Sequence, residues 1–398
     1  MKQNLNIIGR SDYIFLSDLE KYSADINEAI HGSRILVFGG AGSIGKAIVK
    51  ELFHRAPAAL HVVDISENNL VELIRDLRSS FGYIEGDAQF LPLDMGGSEV
   101  CAFIKSQKDY DYILNLAAMK HVRSEKDPYS LMRMIRTNII ESLTTLRYSS
   151  KNTKKFFSVS TDKAKNPANM MGATKKIMED VIFREKSNST VVSMARLANV
   201  AFSDGSLLHG FRQRILLHQP ISAPSDIKRY FLTEEESGFL CLLATVLGKD
   251  KEIFIPKLDA GLELLSFSDI ARRYLQSLGF EAIEVETEQE ARLRINDMVT
   301  MGRWPCYFFP SDTSGEKYFE EFYSDDDCID LLSLKDIGII KVPELKESDH
   351  RRLDEFSIKI SQMLHDGIWT RTELIDLLSR NCPGLVHVEK GKNLDDRM

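Results

Sequence analysis

The stretch Gly39-Gly40-Ala41-Gly42-Ser43-Ile44-Gly45 constrains this chain more than any other, because of what flanks it. Before it lies the wholly apolar run RILVF at Arg34–Phe38, the pattern of a parallel strand buried on both faces; after it, residues 46–54 have helical periodicity. A glycine turn leading from such a strand into a helix lets the backbone approach a pyrophosphate at the positive end of the helix. The spacing is GxxGxxG rather than GxGxxG, but it serves the same physics. Gly39, Gly42, Ser43, Ile44 and Gly45 are therefore the first candidate cofactor contacts.

An acidic residue, Asp64, ends the next strand-like run, where such folds grip an adenosine ribose. A carboxylate there accepts from ribose hydroxyls but repels a 2′-phosphate by about 4 kcal/mol per unit charge at ~4 Å, with an effective dielectric near 20. The expected cofactor is NAD rather than NADP. Asp94, closing the run QFLPLD, is placed to meet the adenine amino group or to serve as a surface turn residue.

Further short apolar runs at 60–63, 112–116, 156–159 and 191–195 alternate with helical patterns, which implies an α/β, doubly wound parallel sheet of Rossmann type. With 51 basic and 59 acidic residues the net charge is −8, which argues against a nucleic-acid partner. The five cysteines are scattered, without a CxxC pair, and read as free thiols in a reducing compartment; no metal site is expected. No signal peptide or membrane-spanning run is visible, so a cytoplasmic location is expected. Residues 16–30 read as one helix, and 325–327 (DDD) as a solvated loop. The tail around Gly391, Lys392 and Asp395-Asp396-Arg397 reads as a flexible end.

Two segments fall where ligands bind in such sheets, beyond the carboxyl ends of strands: Asn115-Leu116-Ala117-Ala118 and Ser158-Val159-Ser160-Thr161-Asp162-Lys163. Asn166-Pro167 and Gly172-Ala173-Thr174-Lys175 follow, then Arg196-Leu197-Ala198-Asn199-Val200 and Arg229-Tyr230-Phe231-Leu232-Thr233-Glu234-Glu235. Over about residues 34–256 the chain resembles the extended short-chain dehydrogenase/reductases. More narrowly it resembles the polysaccharide-biosynthesis type whose members are UDP-N-acetylglucosamine 4,6-dehydratases.

The resemblance implies a lyase that serves surface glycan biosynthesis through a closed redox cycle. Bound NAD takes hydride from C4 of a UDP-sugar, water leaves across C5 and C6, and the hydride returns to C6. Lys163, neutral, is then the base at C5; Asp162, holding a proton, is the acid at O6; Thr161 hydrogen-bonds O4. Lys175 holds the nicotinamide ribose, with Ala117 and Ala118 beside the cofactor. Lys120 approaches the sugar or the nicotinamide, Asn199 the phosphates, and Arg229 the diphosphate through its planar fork. His121 reads more simply as packing, as do Trp304, Tyr307, Phe308 and Phe309. Gly315-Glu316-Lys317 matches a segment that closes over the nucleotide, although the preceding SDTS lacks the arginine usually found nearby.

The chain departs from the superfamily at Met171, which stands where YxxxK has its tyrosine base. The O4 proton then falls to Lys175, Thr161, Asp162 or a water. By resemblance Met171 leans toward retention at C5, and a homo-oligomer is implied. The expected organisation is an N-terminal extension (1–33), an NAD-binding domain (34–200 with about 229–258), a smaller mixed α/β nucleotide-sugar domain (201–228 with 259–345) and a helical C-terminal extension (346–398). Two other readings remain: an epimerase or C5-inverting dehydratase of the same fold, and a non-catalytic NAD-binding scaffold.

Overall fold

A computed structural model describes residues 2–187, 189–313 and 315–387; the tail residues 391–397 named above lie outside them. Its centre is a nine-stranded sheet made of β1 (Arg34–Phe38), β2 (Ala59–Asp64), β3 (Asp87–Pro92), β4 (Tyr112–Asn115), β5 (Lys155–Thr161), β6 (Val191–Leu197), β7 (Glu252–Pro256), β8 (Cys328–Asp330) and β9 (Ile337–Lys341). The spatial order is β8-β9-β7-β6-β5-β4-β1-β2-β3. From β7 to β3 every pairing is parallel, whereas β9 joins β7 and β8 joins β9 antiparallel. Residues 328–341, grouped above with the smaller domain, thus extend the main sheet. Ile337, Ile339 and Ile340 are buried on it, an apolar pairing too distant in sequence to read beforehand.

The strand order reverses between β1 and β4, and a crevice opens there beyond the carboxyl ends of the strands. Helix α1 (Ser43–Phe53) leaves this crevice and buries Ile48, Val49 and Leu52. It lies close against the helix Glu234–Leu247, where a Cβ on Gly238 would stand 2.8 Å from the Ala47 side chain.

A second, smaller core gathers around Trp304, Phe211, Ile270 and Leu275. It covers a three-stranded parallel sheet of Glu281–Glu284, Arg303–Phe309 and Ile221–Pro224. Trp304 is 1% exposed and its indole donates to Gln219 O at 3.0 Å, so it packs rather than waits for a base.

The N-terminal extension straddles both cores, with Ile7 and Ile8 in the small one and Phe15, Ile26 and Ile30 in the large one. Its expected single helix is two, Leu16–Lys21 and Ser23–Ile30, broken at Tyr22 (φ −102°, ψ 16°). The first is anchored separately, because Asp18 accepts the N–H groups of Lys335 and Asp336 at 2.8 Å. At the other end, α4 (Glu347–Asp366) and α5 (Arg371–Asn381) bury Leu353, Phe356, Ile360, Leu374 and Leu378 in the main core. Cys241, Cys306 and Cys382 are buried free thiols, while Cys328 is exposed. No helix among the described residues is long and apolar enough to cross a membrane.

Candidate active site

At the carboxyl end of β1 the glycines earn their places by close approach. Gly39 has φ +72°, and a Cβ there would stand 2.5 Å from Ala117 N; one on Gly45 would stand 2.2 Å from Gly39 O. Gly42 differs: its Cβ would meet only Gly39 O, at 3.7 Å, so the space over it is open to a ligand. Gly39, Gly42, Asp64, Asp94, Ala117 and Ala118 all line one cleft of about 670 Å³. Asp64 binds the loop itself, accepting from Ala41 N–H and Ser66 N–H at 2.9 Å, one bond on each carboxylate oxygen. Asp94 is exposed and accepts from Gly96 N–H. Ser43 points elsewhere, its hydroxyl accepting from Asp204 N–H.

The catalytic candidates meet at the end of β5. Asp162 is fully buried; its Oδ1 accepts from the Thr161 hydroxyl at 2.8 Å and from Lys163 Nζ at 3.0 Å, while its Oδ2 is buried without a partner. Lys163 Nζ also donates to Asn199 Oδ1 at 3.2 Å, and Asn199 Nδ2 is buried without a partner. Unsatisfied buried groups are costly, and here two of them, Asp162 Oδ2 and Asn199 Nδ2, fall in one acid–amine–amide cluster. Among the described residues, Lys120 is not tied to this cluster by a hydrogen bond; its amine is 3.4 Å from Ser203 Oγ.

Helix α3 (Met170–Glu185) carries Met171 and Lys175 and is capped by Asn169, whose Oδ1 accepts from Gly172 N–H. Lys175 is turned inward rather than toward the cleft, donating to Val159 O at 2.7 Å and contacting Met178 Sδ; burial pushes its amine down to about 8. Buried there, the amine takes the acceptors the strand and helix offer.

Arg229 is also committed within the protein. Its guanidinium donates to the carbonyls of Lys228, Lys317 and Tyr318 and lies 3.7 Å from Glu320. The fork expected to seize a diphosphate instead shapes the 317–320 segment. That segment packs against the loop that follows β5: Gly315 O accepts from Asn169, and Lys317 Nζ donates to Lys165 O. Asp327 pairs with Lys165 at 2.7 Å, so the acidic run is only partly solvated.

Three residues escaped the sequence reading. Asn138, on a widened π-helical turn (Arg136–Glu141) of the kind common at functional sites, ties Met119 to Thr174. Glu320 is buried, and burial holds its carboxyl above the usual range against the pull of Lys163, Arg229 and Lys317. Glu125 is 5% exposed and accepts from Met171 N–H at 2.9 Å; burial raises it to about 7. No local pattern announces any of the three; each depends on long-range packing.

Glu125 yields a stability prediction. Its folded value lies above the unfolded 4.5, so the folded state holds the proton more tightly and the carboxyl penalises folding increasingly as pH rises from 4.5 through 7. Between pH 5 and 8 the wild type should lose stability relative to Glu125→Gln, by up to about 3 kcal/mol. Urea unfolding at several pH values measures it, and a pH-independent difference between the two proteins would contradict it.

A sequence profile of the family described as polysaccharide biosynthesis protein matches residues 35–342. An uncharacterized membrane protein of Methanocaldococcus jannaschii, MJ1061, is 29% identical over 79% of this chain and 88% of its own length. A protein of Campylobacter jejuni named UDP-N-acetylglucosamine 4,6-dehydratase (inverting) is 28% identical over 88% of this chain and 98% of its own length. The chain spans 47% of the capsular polysaccharide biosynthesis protein CapD of Staphylococcus aureus. Among solved structures, Pen from Bacillus thuringiensis superposes with a TM-score of 0.64 at 23% identity, over 79% of this chain and 89% of that one, which speaks for the fold.

Proposed function

Since this chain belongs to the polysaccharide biosynthesis protein family, within the extended short-chain dehydrogenase/reductases, we propose that it is an NAD-dependent nucleotide-sugar 4,6-dehydratase acting on UDP-N-acetylglucosamine. The observation that carries the reading is the buried Thr161-Asp162-Lys163 cluster with its unpartnered Asp162 Oδ2. An elimination needs an acid and a base side by side, and a scaffold that only binds a dinucleotide needs neither.

The cofactor cleft fits NAD. The open face of Gly42 leaves room for a pyrophosphate at the first-turn amides of α1. Each Asp64 oxygen accepts one backbone N–H and keeps a lone pair for a ribose hydroxyl, while its charge disfavours a 2′-phosphate. Bound there, the dinucleotide supplies a reversible two-electron acceptor for the sugar. The inward turn of Lys175 leaves its ribose contact without support in this arrangement.

The protein's own groups account for the protons. Because the Thr161 hydroxyl donates to Asp162, its oxygen keeps lone pairs for the sugar O4–H; as C4 is oxidised, the O4 proton passes through Thr161 to Asp162. The ketone at C4 acidifies C5–H, and Lys163 removes that proton. Asp162 then gives its proton to the departing O6 hydroxyl, which leaves as water. Once C6 is reduced, Lys163 returns its proton to C5. One proton leaves O4 and one leaves in water; the C5 proton is lost and regained. This route needs no tyrosine, consistent with Met171 at that position. Asn199 Nδ2 offers a donor to the sugar-phosphate, and Arg229 acts by holding the covering segment.

Mass spectrometry of UDP-N-acetylglucosamine incubated with the purified protein tests the reading, the expected product being lighter by one water. Relatives also include proteins named UDP-glucose 4-epimerase, so an unchanged mass with a new sugar configuration would favour epimerisation. No turnover across several nucleotide sugars would sink both.

A further inference from the structure

The cleft that holds the predicted cofactor residues is not built from the family-matched part of the chain alone. Leu364 and Trp369, from the end of α4 and the turn into α5, line it together with Gly42, Asp64 and Asp94. Both lie beyond residue 342, where the family match ends. We propose that the C-terminal helical pair completes the dinucleotide site, Trp369 and Leu364 forming an apolar wall against which the adenosine half of NAD packs. The proposal rests on the cofactor reading above and adds a binding element to it.

Trp369 is held in place rather than lying loosely on the surface. Its indole N–H donates to Pro128 O at 3.0 Å, and its ring meets Tyr129 edge to face at 6.3 Å and 70°. Two residues on, Arg371 Nε donates to Glu125 O at 2.7 Å. Beyond that, Leu374 and Leu378 sit in the main core. The wall is thus fixed from α5 and from α2 (Pro128–Ile135), whose Met132 also faces the cleft.

The same mouth leaves Tyr129 75% exposed, although it is a large aromatic ring lining a cleft. A planar apolar ligand ring laid there would cover surface that the protein alone leaves wet. Opposite in character, Asp64 and Asp94 supply acceptors for hydroxyl and amino groups. An aromatic and aliphatic wall with two carboxylates in one cleft matches an adenosine, which presents a flat apolar face and polar edges.

The chain has two tryptophans, and the other, Trp304, lies buried in the small core. A Trp304→Phe protein therefore reports Trp369 alone. Titration with NAD should change its emission saturably, at the same midpoint that calorimetry gives for binding. Trp369→Ala should raise the Kd for NAD about tenfold, and Leu364→Ala roughly threefold, losses on the scale of one ring or one aliphatic contact. Cooperative melting of both variants verifies folding, and Leu364→Ala, which leaves the Pro128 tie intact, carries the test if Trp369→Ala melts broadly. NAD binding with unchanged Trp369 emission and unchanged Kd in the variants would overturn the wall but leave the cofactor reading standing. No NAD binding by the wild type would overturn both.

Discussion

Replacing Lys163 by Ala is expected to abolish exchange of the sugar C5 proton with solvent deuterium and to lower kcat by about a thousandfold, within the range typical of a lost acid–base group. Lys163 Nζ is bonded to Asp162 Oδ1 and Asn199 Oδ1, so it stands at the cluster's centre and links the carboxyl to the Asn199 amide. Oxidation at C4 precedes proton removal at C5. The variant should therefore still develop the absorbance of reduced nicotinamide when mixed with substrate, and then stall. Exchange at the wild-type rate would remove Lys163 from the role of base.

Asp162→Asn should stall one step earlier. If Asp162 receives the O4 proton through Thr161, an amide in its place leaves that proton without a destination, and reduced nicotinamide should accumulate at least about a hundredfold more slowly. Water loss should fall below detection. Thr161→Val keeps the side-chain shape and removes the hydroxyl that bonds Asp162 Oδ1, so it should slow the same step while leaving C5 exchange intact once oxidation has occurred. Wild-type accumulation of reduced nicotinamide in Asp162→Asn would confine Asp162 to the later protonation at O6. Stopped-flow absorbance and product mass, read on the same samples, separate these outcomes.

The elements that carry this candidate site are legible in the sequence for a local reason. The strand–glycine–helix transition at 34–53 and the strand-ending Thr161-Asp162-Lys163 are contiguous in the chain, and short-range geometry dictates what contiguous residues do. Less legible were the residues that act across distance. Glu125 meets Met171 46 positions away, and Arg371 meets Glu125 246 positions away. Nothing in the periodicity of either segment announces such a meeting. Arg229 and Lys175 show the converse, since the family resemblance implied ligand contacts for them while packing turns them to carbonyls of the protein. The edge pair β8–β9 was missed because antiparallel addition to a parallel sheet depends on which apolar surface remains uncovered, a property of the assembled sheet.

The amino-acid order alone thus decided the fold class, the place of the glycine turn and the pairing of an acid with an amine, because each follows from backbone sterics or from adjacency along the chain. Folding decided how deeply that pair is buried, which of its atoms stay unpartnered, and which distant segments wall the cleft. Burial, effective dielectric and hydrogen-bond satisfaction are collective quantities, set only when elements far apart in sequence are packed together.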